Sequence, residues 1–281
     1  MTQRADPEEM NLVAESPQEL LEQNEIKRRR DPLGRAIQLL IHMVDSGEEA
    51  YGVRELGTRL GASASTAHRL LGELEQLGMV DRTPSGTYRI GLEFLRIART
   101  SIAQFPLHDK ANDVLRELTR RSEETSFLSV YSSQRQQMMF TLSVESAHPL
   151  RYVLQLNKWL SVHTGASGLA ILAFLPDEDR REILEKQLGT SADICDDTQR
   201  LTERLTEIKR QGYASSRAER IAGAVAVAAP VFGPSGEVFG DVGVTIPESR
   251  FNETDEPVLA GLVIHSAEIL TASMGGTAPK S

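Results

Sequence analysis

Apolar residues first recur at helical spacing between Leu33 and Val44. Leu33, Ala36, Ile37, Leu40, Ile41 and Val44 predict an amphipathic helix there, ended by Ser46-Gly47. Val53, Leu56 and Leu60 predict a short second helix and Gly61 a tight turn. Ser63 is placed to cap a third helix, Ala64 to Leu77, whose inward face carries Leu70, Leu71, Leu74 and Leu77. The runs 79–82 and 87–90 flank Thr83-Pro84-Ser85-Gly86 and predict a hairpin. Helix, helix, tight turn, helix, hairpin is the order of a winged helix-turn-helix. Residues 91–104, with Leu92, Phe94, Leu95, Ile97, Ala98 and Ile102, predict a linker helix apolar enough to need a partner, broken by Phe105-Pro106.

Beyond residue 107 helical and alternating patterns interleave. Helices are expected at 108–121, 166–174, 177–188, 198–211 and 252–274. Strands are expected at 126–132, 138–144, 150–156, 225–232 and 238–246, the last two around the turn Gly233-Pro234-Ser235-Gly236. Strands near both ends with helices on the flanks indicate an α+β domain around one antiparallel sheet. The domains read as an acidic tail 1–30 ending in a basic block, a winged helix-turn-helix 31–90, a linker helix 91–105, a sensor domain 106–275 and a short tail 276–281.

Charge sharpens this picture. The chain of 281 residues has a formal net charge of −9, which excludes a protein that coats nucleic acid with its whole surface. Residues 27–104 nevertheless hold twelve Lys and Arg against nine acidic residues, so the basic stretch coincides with the helix-turn-helix pattern. Lys27-Arg28-Arg29-Arg30 just before it reads either as a solvated tail or as an arm laid on DNA. One cysteine, Cys195, leaves no intramolecular disulfide. With no apolar run near 20 residues and no secretory signal pattern, a cytoplasmic protein is expected.

The third helix offers the chemistry for DNA. Ser63, Ser65, Thr66, His68 and Arg69 lie on its outer, N-terminal surface. Short hydroxyls allow close approach to phosphate, and Arg69 can pair with a guanine edge. Arg82 and Arg89 flank the wing, and Arg54 stands at the start of the supporting helix, whose free amides suit a phosphate. The competing reading is a winged-helix module for protein contacts.

Several segments resemble one family, the IclR-type regulators. In the first half these are 31–36, Ser65-Thr66-Ala67-His68-Arg69-Leu70-Leu71, 77–80 and 86–91. In the second they are 160–170, Gly212-Tyr213-Ala214 through Glu219 with Gly223, and Ala228-Ala229-Pro230-Val231-Phe232. The resemblance runs from about 31 to 275 in the family's order. It implies a GAF-like effector domain, a homodimer or dimer of dimers on a double-stranded DNA operator, and control by a small organic or aromatic acid. Carried over by position, the effector pocket falls on Tyr152, Leu160, Ala166, Ser167, Ser216, Ala226, Gly243 and Thr245. Ser216 stands where some members carry an acid, Ala226 where some carry cysteine, and Leu169 where Lys is common. Beside the resemblance, Ser167 sits in the first turn of a predicted helix, where amides favour an anion. Arg217 and Arg220 could neutralise a carboxylate, although solvated arginines fit an exposed loop better.

An enzyme is disfavoured. Acidic neighbours would raise the Cys195 pKa rather than activate it, and His163 reads as a structural histidine. The six histidines show no metal-ligand spacing, and no phosphate loop or GxGxxG is present. No cofactor is expected.

Overall fold

The computed structural model describes residues 31–103, 108–188 and 194–278. The basic block Lys27–Arg30, the acidic tail before it, the Phe105-Pro106 break and the Cys195 side chain lie outside the described residues. The chain divides into two compact units, Met1–Gln104 and Phe105–Ser281.

In the first unit, α1 (Pro32–Ser46) starts where the Asp31 carboxylate accepts the Leu33 amide at 3.3 Å, and it ends at Gly47 with φ +64°. Helix α2 (Val53–Leu60) stops at Gly61, also left-handed. Helix α3 (Ala64–Gln76) is capped by Ser63, whose hydroxyl accepts the Thr66 amide at 3.2 Å. Strands β1 (Val80–Arg82) and β2 (Tyr88–Ile90) form the wing, and Tyr51 bridges to Tyr88 on its other edge. Tyr51 is buried. Its hydroxyl donates to the Met43 carbonyl at 2.6 Å and accepts the Glu48 amide at 2.8 Å, tying α1 to the sheet. Helix α4 (Leu92–Ala103) follows Gly91, where a Cβ would stand 2.3 Å from the Gly78 oxygen, so no other residue fits.

The structure turns α1 away from its expected phase. Of the expected set only Leu40 is buried and Ala36 half-buried, joined inside by Leu39 and Met43, while Leu33, Ile37, Ile41 and Val44 are exposed. The helix carries two apolar faces, and periodicity alone does not say which one the domain covers. Leu77, expected inside, is also exposed, because α3 ends one residue before it.

The second unit runs α5 (His108–Ser122), β3 (Thr125–Ser132), β4 (Gln137–Val144), β5 (Leu160–Ser161), α6 (Gly165–Leu172), α7 (Asp177–Leu188) and α8 (Ile194–Gln211). It continues with β6 (Ala214–Arg217), β7 (Ala224–Phe232), β8 (Val238–Pro247), a 3-10 turn (Glu253–Asp255) and α9 (Glu256–Ser273). The sheet is antiparallel, in order β5-β4-β3-β8-β7-β6. One face, with Leu128, Val227, Val242 and Val244, packs on α5 and α9. The other, with Phe127, Phe140 and Ala228, packs on α6 and α8. This two-layer burial makes β7 and β8 read as near-continuous apolar runs rather than alternating ones.

One expected strand is missing and one strand was not expected. Residues 150–156 form no strand, and β5 is the pair Leu160–Ser161. The edge strand β6, Ala-Ser-Ser-Arg, has too little apolar pattern to announce itself and is held by its register with β7. No helix among the described residues is long and apolar enough to cross a membrane.

Candidate functional site

In the first unit, Ser63, Ser65, His68 and Arg69 are exposed and Thr66 half-buried on the outer side of α3, opposite the buried Ala67, Leu70, Leu71 and Leu74. The Ser63 hydroxyl lies 2.9 Å from both the Ser65 and Thr66 hydroxyls, a tight polar cluster at the helix start. Arg69 is held by Glu73, one turn on, at 2.6 Å. This exposed pair contributes little to stability but keeps the guanidinium extended along the helix. On the wing, Arg89 faces Asp81 at 3.7 Å, and Arg82 lies over the Tyr88 ring with 6.0 Å to its centroid. Arg54 is exposed at the start of α2. The eight positions expected to meet DNA thus occupy the outer surfaces of α2, α3 and the wing.

In the second unit, a cavity of about 30 Å³ opens between α6, the sheet and the segment 217–223 that joins β6 to β7. Five of the eight positions carried over for the effector line it: Ala166, Ser167, Ser216, Ala226 and Thr245. Three do not, but each supports the lining. Tyr152 donates to the Ala222 carbonyl at 3.0 Å and pins the 217–223 segment. A Cβ at Gly243 would lie 2.6 Å from the Phe127 ring, so glycine there makes room for a wall of the cavity. Leu160 packs against the same core.

Residues that sequence reasoning left out complete the wall. Phe127 and Phe140 meet edge to face at 4.9 Å between centroids, beside Leu154 and Ile221. Their chain separation gives no local signal, since they converge only through the β3–β4 register.

Two helix-start amides of α6 are already engaged. The Glu219 carboxylate accepts the Gly165 amide at 3.1 Å and the Ser216 hydroxyl accepts the Ala166 amide at 2.8 Å. Glu219 is held in turn by Arg204 at 2.7 Å. One of the chain's own carboxylates thus stands at this helix start, on the Gly165 amide.

Arg220 departs from the solvated loop arginine expected for it. It lies largely buried in the lining, its Nη2 donating to the Ser161 carbonyl at 2.7 Å and the Thr164 carbonyl at 2.5 Å. Its Nε is buried with no partner. Burial lowers its pKa, against the pull of Asp241 and Glu219. Arg217 is the surface residue, paired with Glu248 and Glu253 and stacked on Phe251. Behind Ser167, Asp241 is fully buried and bonded by the Ser129 hydroxyl, while its Oδ2 has no partner. Burial pushes its carboxyl up to about 6, opposed by Ser129, Ser167 and Arg220.

A wider groove of about 470 Å³ lies between the ends of α8 and α9, walled by Phe174, Pro230, Phe232 and Ile264. Its Arg210 is paired with Glu207, and it holds no buried unsatisfied side chain. Among the described residues no three metal-ligating side chains gather.

Comparison with known proteins bears on both units. The profile of the IclR helix-turn-helix domain matches residues 32–84, and that of the bacterial transcriptional regulator IclR C-terminal region matches 99–272. An HTH-type transcriptional regulator of Mycobacterium tuberculosis is 31% identical over 247 residues, covering 87% of this chain and 93% of the relative. The transcriptional repressor IclR of Escherichia coli is 25% identical over 248 residues, covering 87% and 90%. An IclR homologue of Microbacterium hydrocarbonoxydans, solved in complex with 4-hydroxybenzoate, superposes with a TM-score of 0.72 at 22% identity, covering 87% and 99%.

Proposed function

Because this chain belongs to the IclR family of transcriptional regulators, and is a regulator rather than an enzyme, we propose that it is a homodimeric, effector-controlled, operator-binding protein of the cytoplasm. The observation that carries the reading is the outer surface of α3, where the hydroxyl cluster Ser63, Ser65 and Thr66 stands beside exposed His68 and Arg69 on a capped helix after a tight turn. Two such helices from a dimer enter successive major grooves of double-stranded DNA, about 34 Å apart. Arg69 reads a base, while Arg54, Arg82 and Arg89 hold phosphates.

The stripe Leu33, Ile37, Ile41 and Val44 supports the dimer, since four large apolar side chains on one exposed helix face call for a partner. Helix α4 is the linker, and its exposed Leu92, Leu95, Ile97 and Ile102 extend that demand.

The effector is a small organic acid seated in the cavity beside Ser167, Ser216 and Thr245. Aliphatic and aromatic walls with a few hydroxyls are the usual make-up of such a pocket. The ligand of the Microbacterium homologue is of this class. A ring would need the lining side chains to move outward, which gives the effector a differential hold on two states of the domain. That hold reaches the operator as a coupling of about 1–3 kcal/mol.

A fluorescence-anisotropy titration of the chain's own upstream DNA against random DNA tests the reading. Specific binding at least a hundredfold tighter, shifted by an added acid, is the expected result. Equal affinity for both DNAs would remove the regulator mechanism.

A further inference from the structure

The geometry points to Arg220 as the residue that receives the carboxylate of the effector. This rests on the cavity being the effector site, and names the group that recognises the ligand there.

An anion in this cavity could be held by the start of α6 or by a cation in the wall. The first is partly taken, for Glu219 and Ser216 already accept the Gly165 and Ala166 amides. Among the lining side chains Arg220 is the cation, and its Nε is buried without a hydrogen-bond partner. The rest of the guanidinium is fixed. Two bonds from Nη2 to the Ser161 and Thr164 carbonyls orient it, so an incoming carboxylate meets a set geometry rather than a mobile chain. A largely buried guanidinium without a direct ion pair is costly; Asp241 and Glu219 pull on Arg220, but the domain's ion pairs among described residues include Arg204–Glu219 and none to Arg220.

Size agrees. At about 30 Å³ the space suits roughly two waters, at about 10–15 Å³ each, which is the bulk of a carboxylate head. Thr245, in the same lining, adds a hydroxyl to the cavity wall, while the Ser167 hydroxyl is turned to Asp241. Backbone contacts close the segment into a fixed loop, with Ala218 donating to Ala224 at 2.7 Å and Tyr152 to Ala222. Arg220 is thereby delivered by the fold and not by local sequence.

The test is calorimetric titration and thermal shift of the full chain with acetate, pyruvate, benzoate and 4-hydroxybenzoate, each beside its neutral amide. The expected result is that at least one acid binds and its amide does not, and that Arg220→Gln weakens that acid tenfold or more. Arg217→Gln, three residues away in the chain but paired on the surface, should leave it within twofold. Unchanged binding to Arg220→Gln, or equal binding of acid and amide, overturns the assignment and leaves the effector cavity standing. No binding of any acid or amide overturns the cavity reading itself. If Arg220→Gln loses its native circular-dichroism spectrum, Arg220→Lys replaces it. A retained acid preference with several-fold weaker binding supports the assignment, and an unchanged dissociation constant overturns it.

Discussion

The Glu219 carboxylate caps α6 from 54 residues away, one oxygen 3.1 Å from the Gly165 amide and the other 2.7 Å from Arg204. Charge-assisted bonds at a helix start are stronger than neutral ones, and the negative charge also meets the positive end of the helix. Glu219→Ala should therefore lower stability by about 1–3 kcal/mol, read by chemical denaturation. Glu219→Gln should cost less, because an amide oxygen still accepts from Gly165. Equal losses in the two variants would show that the charge contributes nothing.

Arg69 and Glu73 lead to opposite changes on DNA. If Arg69 reads a base, Arg69→Ala should weaken operator binding by about 1–3 kcal/mol with the fold intact. Glu73 holds that guanidinium at 2.6 Å and adds a negative charge near the phosphates. Glu73→Gln should tighten binding to operator and random DNA alike, by severalfold at low salt. Anisotropy titrations at two salt concentrations check both, and weaker binding by Glu73→Gln would contradict the surface assigned.

The α1 stripe predicts an assembly. Ile37→Asp with Ile41→Asp places charge on a face that is exposed in the single chain, so the domain should fold normally. Sedimentation should then show a lighter species than wild type, and operator affinity should fall as the second head is lost. An unchanged sedimentation coefficient places the dimer contact elsewhere.

Asp241 makes stability depend on pH. Its folded carboxyl, pushed to about 6, lies above the ordinary 3.8, so the folded state holds the proton more tightly than the unfolded chain. The contribution is complete below about pH 4 and is lost as pH rises through 6. The difference of roughly 2 pH units corresponds to about 3 kcal/mol. Asp241→Asn should flatten the decline between pH 4 and 7. A wild-type profile that rises over this window after the Asn profile is subtracted would reverse the sign.

Much of the first unit was open to local reading. Ser63 before a leucine-spaced run, Gly61 in the turn and Pro84-Gly86 between two short strands are signals within four or five residues, and the structure forms each element there. The phase of α1 was not open in this way. Leu33, Ile37, Ile41 and Val44 are as apolar as Leu39, Leu40 and Met43, and only packing against Tyr51 and Leu70 chooses the inner set. The cavity was partly open. Ser167, Ser216 and Thr245 came from resemblance and Arg220 was named for a carboxylate but expected in solvent, whereas Phe127 and Phe140 had no sequence neighbours to announce them.

The chain's own pattern determined that a helix-turn-helix with a wing precedes an α+β domain, because caps, turns and apolar periods act over a few residues. Only the tertiary structure decided where Glu219 and Arg220 go. Adjacent in sequence, they serve different ends: one carboxylate satisfies the α6 amides, and one guanidinium lines the cavity beside them. Neither role is visible in a charged dipeptide on a loop. Each arises when the β6–β7 pairing folds residues 217–223 back over a helix that starts some fifty residues earlier.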